Sequence, residues 1–383
     1  MFGPMEYVFP NEAVEWTILI VTYPFVTGLV AGAFIVSALV YVFNQEKFKP
    51  VGRLALITSL VFLFLSFLPL VAHLHQPQRA IEIMTRPNFS SAMAAFGYIY
   101  LFYLIVAMVE TVFLFRVNSV QRRDSSSGIL KIVYSLLSLG TKDISGTAMS
   151  RDMKIVKVLA MIGVPTAVLF HGYVGFIFGA VKANPVWSTP LMPVIFLMSA
   201  IVSGVALLII VYVGGSYFSG RKPLESVVSN LGVLLGWFVL IDVSFHGLEE
   251  LYRAYERTAS WPIVEQTLFG QLYWTHIWGE FILGSFIPLA LIAIPRIRRS
   301  AKWMTLTSIL VLAGVFAMRW NVVIGAQLIS RTGQGFLTYT PPLIGRESIV
   351  SVVAIFSMSL FLLILLTSIF PWRDETKEVK TLG

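Results

Sequence analysis

The chain has 383 residues with only 28 Lys or Arg and 20 Asp or Glu, so 13% are charged while 57% are hydrophobic; soluble globular domains usually carry roughly 25% charged residues. A soluble fold of this length has too little polar surface to cover so much apolar side chain, and the composition predicts an all-α integral membrane protein. The absence of cysteine excludes disulfides, cysteine-ligated iron–sulfur clusters, thiolate zinc sites and thiol catalysis.

In chain order, residues 1–15 carry Glu6, Glu12 and Glu15 and no basic residue. That is the reverse of a signal-peptide n-region, so they read as an outside N-terminal segment with no cleavable leader. Nine apolar runs then follow near 16–43, 54–76, 92–117, 155–181, 190–216, 228–251, 272–294, 303–325 and 348–371, each long enough for about 30 Å of hydrocarbon. The reading is about nine spans, within eight to ten. It groups them as a first four-helix bundle over 16–181, a second over 190–325, and an appended ninth helix at 348–371. The shorter apolar stretch from Ile129 to Leu139 lies in a basic connection and is predicted to rest on the membrane surface. The longest connection, 118–154, is too short and polar for a catalytic domain. The outer loop 326–347 holds Thr332-Gly-Gln-Gly335 and Pro341–Pro342, so it is ordered by contact with something else or not at all.

The net charge of +8 is a topology signal rather than a nucleic-acid footprint. With nine spans, 20 basic residues fall on the side of the 372–383 tail and 7 on the other, with Arg319 inside a span. That split predicts an outer N-terminus and a cytoplasmic tail in the plasma membrane of a prokaryote.

Ionisable residues inside a span are costly, so each is a candidate for function. His73 and His75 end the second span. His171 lies in the fourth, with Tyr173 close behind. Asp242 and His246 share a face of the sixth, followed by Glu249 and Glu250; His276 and Glu280 are likewise paired four apart in the seventh, and Arg319 and Asn321 lie in the eighth. Nearly all fall in the outer half. Glu110 is the exception, near the inner end of the third span, with Ser59 and Ser66 on the second as relay hydroxyls for a proton path. Histidine and carboxylate groups in an aromatic-lined pocket at lipid level suit a quinone, whose oxygens exchange hydrogen bonds and protons with them. His171, Tyr173, His276, Glu280, Asp242, His246 and Arg319 are the candidate quinone-binding residues. A secondary transporter or a haem b anchor would also use buried ionisable residues, but the paired histidines of a haem relay are missing from the inner half.

Several segments resemble the NrfD/polysulfide-reductase (PsrC) membrane-subunit family, most nearly its DsrP and HybB branch. Gly28 to Asn44 reads GLVAGAFIVSALVYVFN, similar to that family's glycine-rich first core helix. Pro87 to Ala94 reads PNFSSAMA, and Glu110 falls where an acid ends the following helix. His171 precedes the Lys182-Ala-Asn-Pro-Val-Trp187 loop; Trp278, Glu280, Gly284 and Pro288 follow the pattern of a later helix. The resemblance implies two four-helix bundles, menaquinone or another quinone, and no haem or iron–sulfur cluster in this chain. It also implies a ferredoxin-like iron–sulfur subunit on the outer face and further membrane and electron-transfer subunits, in a respiratory oxidoreductase of the sulfur- or sulfite-linked DsrMKJOP type.

Overall fold

The structure is a computed structural model that describes residues 7–373. Glu6, Lys377 and Lys380, which enter the charge reading, lie outside the described residues. Among those described, nine helices are long and apolar enough to cross a membrane: α1 (Ile18–Tyr41), α2 (Glu46–His73), α3 (Ala94–Arg123), α4 (Gly146–Gly179), α5 (Met192–Phe218), α6 (Glu225–Glu256), α7 (Trp274–Ala293), α8 (Ala301–Leu328) and α9 (Ile349–Ile369). No strand forms among them, as hydrocarbon requires of a chain that does not close a barrel. The protein is an all-α integral membrane protein.

Several helices outrun their apolar stretches: α3 continues to Arg123 and α6 to Glu256, and α2 and α4 gain eight or more residues at their starts. α2 begins with a turn at Glu46–Phe48, and α4 begins at Gly146, where the Ser145 side chain caps the Ala148 amide. Hydropathy marks only the part of a helix that lies in lipid, and these polar first turns project beyond it. α2 also breaks its regular hydrogen bonding at Ser66–Phe67, just ahead of Pro69, where the missing N–H cannot continue the ladder. The stretch expected on the surface is the short helix Gly128–Leu137, which exposes Ile129, Ile132 and Leu136 and turns Tyr134 inward to donate to the Ile369 carbonyl at 3.1 Å.

α1 and α5 form the central pair. α1 is buried along nearly its whole length, and packs on α2, α4, α5 and α8. Its Gly28 and Gly32 face Ala200 and Gly204 of α5, small residues four apart on both sides; a Cβ on Gly32 would run into the backbone of Ile201 and Val205. Lipid supplies no hydrophobic drive between helices, so this close backbone approach and its dispersion contacts hold the pair. α7 and α8 cross the same way where Gly284 meets Gly314. α9 shows most of its surface outward, as an all-apolar helix bathed in lipid does.

The outer loop is ordered by the segment that precedes α1. Tyr7 and Gln334 form an antiparallel bridge, with Tyr7 N donating to Gln334 O at 3.1 Å. The Arg331 amide donates to Glu12 at 2.7 Å, and the Tyr339 hydroxyl accepts from Ile18 N, the first residue of α1, at 3.0 Å. Arg346 donates to the Ala72 and Leu74 carbonyls at the end of α2.

Candidate functional site: a carboxylate between two imidazoles

α6, α7 and α8 bring their polar residues to one place. Glu280 of α7 sits at the centre, 7% exposed. Its Oε1 is 3.1 Å from Nδ1 of His246 on α6; its Oε2 is 3.2 Å from Nδ1 of His276, one turn away on α7. Asn321 of α8 donates its Nδ2 to the same Oε2 at 2.9 Å. A carboxylate that accepts from three sides is well satisfied in a site without bulk water. The two histidines then turn their Nε2 atoms away, toward Asp242 and Glu250, each 3.9 Å off and beyond hydrogen-bond reach. His276 Nε2, Asp242 Oδ1 and Asn321 Oδ1 are buried and make no hydrogen bond within the described residues.

The local backbone sets this up. α7 runs as a wide π-type helix over Trp274–Phe286 before returning to α geometry. Such turns are rare and concentrate at functional sites. The close approach of Gly284 to Gly314 draws α7 onto α8 one turn from Glu280, which brings Asn321 within reach. Two narrow crevices adjoin at the cluster. One is lined by Ser199, Asp242, His246, Glu280, Phe281 and Met318; the other by Glu249, Glu250, His276, Glu280 and Asn321.

Arg319 closes one side. Its guanidinium is 1% exposed, donates to Ser199 Oγ at 2.7 Å and Phe196 O at 3.3 Å, and lies 3.9 Å from the centroid of the Phe196 ring. No carboxylate pairs with it directly within the described residues, yet Asp242 and Glu280 are within electrostatic reach. A buried cation supported by dipoles and an aromatic face, with acids nearby, places a fixed positive field beside the crevice.

Of the seven residues predicted for the site, His246, His276 and Glu280 meet directly, Asp242 stands 3.9 Å from His246 Nε2, and Arg319 adjoins them. His171 does not. It lies on α4 against Phe170 and Tyr103, buried, its Nε2 without a hydrogen bond among the described residues, and only its electrostatic influence extends to Arg319. Tyr173 is also apart: its hydroxyl donates to the Ala92 carbonyl at 2.7 Å and ties α4 to the segment before α3. On the expected proton path, Ser66 returns its hydroxyl to Leu63 O at 2.8 Å on its own helix, whereas Ser59 and Glu110 are wholly buried without a hydrogen bond among the described residues. Tyr103 neighbours both of them.

Glu249 is held by Arg253, which pairs with it at 2.7 Å and donates to Val186 O at 2.7 Å. His73 pairs with Glu347 at 3.0 Å, fastening α2 to the outer loop. Trp187, one of the aromatics at this level, is buried: its indole stacks on Trp16 and donates to Val322 O at 2.6 Å. Trp237, Trp274 and Trp278 are exposed on the flank of α6 and α7, where interfacial aromatics belong.

Comparison with known proteins agrees with this architecture. The family described as "Polysulphide reductase, NrfD" matches residues 7–330. Among curated relatives, a subunit of the selenate reductase of Mesobacillus selenatarsenatis is 30% identical over 95% of this chain and 88% of its own length. The Hdr-like menaquinol oxidoreductase integral membrane subunit of Archaeoglobus fulgidus is 24% identical over 97% and 89%, and a component of the polysulfide reductase of Wolinella succinogenes is 26% identical over 85% and 98%. Relatives named as reductase or oxidoreductase subunits, one of them an integral membrane subunit, a family match over most of the chain and nine membrane-length helices among the described residues agree, and the chain belongs to the NrfD polysulphide reductase family as a multi-pass membrane subunit of an oxidoreductase.

Proposed function

We propose that Glu280, His276 and His246 form the proton-exchanging centre of a quinol/quinone site, and that this chain passes electrons between the membrane quinone pool and an iron–sulfur subunit docked on its outer face. The observation that carries the reading is the free Nε2 of His276, which lines a crevice while its Nδ1 is held on the Glu280 carboxylate. In that tautomer Nε2 presents a lone pair that accepts a proton from a ring hydroxyl. The carboxylate fixes the imidazole and stabilises the cation that results, as in other carboxylate–histidine pairs. His246 offers a second such arm on the same carboxylate. Arg319 favours negative charge on a ring oxygen in the adjoining crevice. A quinone supplies a lipid-soluble carrier of two electrons and two protons, and the residues here hold it and move its protons.

The composition supports an outside partner for the electrons. The chain has no cysteine to ligate an iron–sulfur cluster, which supports clusters held by other subunits. The names of the relatives favour menaquinol and reductases of sulfur or selenium compounds, in keeping with a sulfur-linked, DsrMKJOP-like assembly. The buried, unpaired Glu110 beside Tyr103 supports a proton route toward the inner face. The charge split supports the plasma membrane with the N-terminus outside.

The test is quinol oxidation by the assembled complex. Glu280→Gln keeps the shape but removes the charge and turns one acceptor oxygen into an N–H donor, and should lower turnover by about 10²–10⁴-fold while the complex still assembles. Turnover within a factor of about two of the parent would contradict the reading.

A further inference from the structure

The two histidines of the cluster each face a second acid, and the two acids differ in what they reach. His246 Nε2 stands 3.9 Å from Asp242 Oδ1, and His276 Nε2 stands 3.9 Å from Glu250 Oε1. Asp242 is closed in: its side chain is 11% exposed, and its Oδ1 is buried without a hydrogen bond among the described residues. The Glu250 side chain is 23% exposed, yet its Oε2 is buried and makes no hydrogen bond among the described residues. Glu250 therefore reaches both the crevice that it lines with His276, Glu280 and Asn321 and the surface beyond. The end of α6 past it is open, with Leu251, Tyr252 and Tyr255 exposed. Arg253, one turn on, is engaged elsewhere, by Glu249 at 2.7 Å and the Val186 carbonyl at 2.7 Å.

We infer that Glu250 is the proton outlet of this cluster, taking the proton that His276 Nε2 receives and passing it to water at the outer end of α6. The inference rests on the quinone reading of the cluster and names the residue through which that site releases a proton. Once a ring hydroxyl has protonated Nε2, His276 carries a proton on each nitrogen, and the one on Nδ1 is held by Glu280. Only the Nε2 proton is free to leave. Glu250 Oε1 is the carboxylate oxygen it faces, and a turn of the side chain closes 3.9 Å to hydrogen-bond distance. There the N–H bond breaks, its electron pair stays on the imidazole, and an O–H bond forms on Glu250. Water then removes the proton, and both residues return to their starting states. A carboxylate suits this step because it accepts and gives up one proton with no other change. An acid that is merely solvated at a helix end has no reason to bury an oxygen, since an unbonded carboxylate oxygen out of water costs free energy. The charged or titratable groups that face Glu250 are His276 and Glu280 from α7, and Glu249 and Arg253 from its own helix. Asp242 offers His246 no such exit, so the two arms are unequal.

Steady-state quinol oxidation by the assembled complex tests this, with Glu250→Gln, Glu280→Gln and the parent compared across pH. Glu250→Gln should lower kcat by about 10²-fold with no rise in KM, since Glu250 acts on the imidazole and not on the ring. The defect should shrink as pH rises, and when imidazole is added at constant pH and ionic strength, because bases in solution then collect the proton. A residue that only shapes the crevice would show neither response. Should Glu250→Gln fail to assemble, Glu250→Ser is read in the same way, its small side chain leaving room for the added base. Turnover equal to the parent at every pH, or a loss that neither pH nor imidazole relieves, would overturn the inference. Glu280→Gln tells the two failures apart. If it is impaired while the Glu250 variant is not, the outlet alone fails; if it turns over like the parent, the quinone reading fails and the outlet with it.

Discussion

At the scale of single residues, the cluster separates groups that hold from groups that exchange protons. Asn321 donates to Glu280 and cannot titrate; Asn321→Leu removes one of three donors and leaves the histidines as the support of the carboxylate. It should lower quinol affinity less than His276→Gln lowers turnover, and a KM-against-kcat comparison separates the two. Tyr173 makes the opposite forecast from the one its sequence position suggests. Its hydroxyl is spent on Ala92 O, so Tyr173→Phe should leave turnover unchanged and cost about 1 kcal/mol in thermal stability. A large loss of turnover would return Tyr173 to the site. Ser199 was not distinguishable in the sequence from Ser203 or Ser37, which share its apolar setting; only the fold shows that it, and not they, meets Arg319. The residue types and their i, i+4 spacing on α6 and α7 were legible because burying an ionisable group is expensive. His171 has the same composition and depth, but its helix faces the other way, onto Tyr103 and Phe170; periodicity along one helix does not say which neighbour that face meets.

At the scale of elements, the spans were legible from apolar length alone, because hydrocarbon enforces both the helix and its extent. The polar first turns of α2 and α4 were not, since no hydropathy contrast marks helix outside lipid. The π-type stretch of α7 was also hidden. Its Trp-x-Glu spacing reads as an ordinary helix. The small residues Gly28 and Gly32, read in the sequence as a likeness, have a mechanical role: they let α1 lie against α5. Gly32→Val forces those backbones apart and should destabilise the protein by about 1–3 kcal/mol or more, measured as a lower thermal midpoint, whereas Gly214→Ala, whose Cβ would meet nothing within 4 Å, should leave it unchanged. A Gly32→Val midpoint equal to the parent would show that the central crossing is not close-packed.

At the scale of the whole molecule, titratable groups gather toward one end of the bundle and cations crowd the other. That polarity predicts how the protein sits in the cell. Since the natural chain has no cysteine, single introduced thiols report their side without background. Lys182→Cys should react with a membrane-impermeant maleimide on intact cells, and Lys142→Cys only after lysis. The reverse pattern would invert the topology and move the proposed iron–sulfur partner to the inner face. The 20-to-7 division of basic residues is the sequence signal on which this expected orientation rests.

The measurement that bears most directly on the account is the position of the ring in a structure of the assembled complex with a bound quinone analogue. A ring oxygen within hydrogen-bond distance of His276 Nε2, about 2.6–3.2 Å, with Glu280 behind the imidazole, is the expected result. A ring seated elsewhere, such as the surface recess between Tyr98 and Leu169 on α3 and α4, with the Glu280 cluster unchanged, would contradict it.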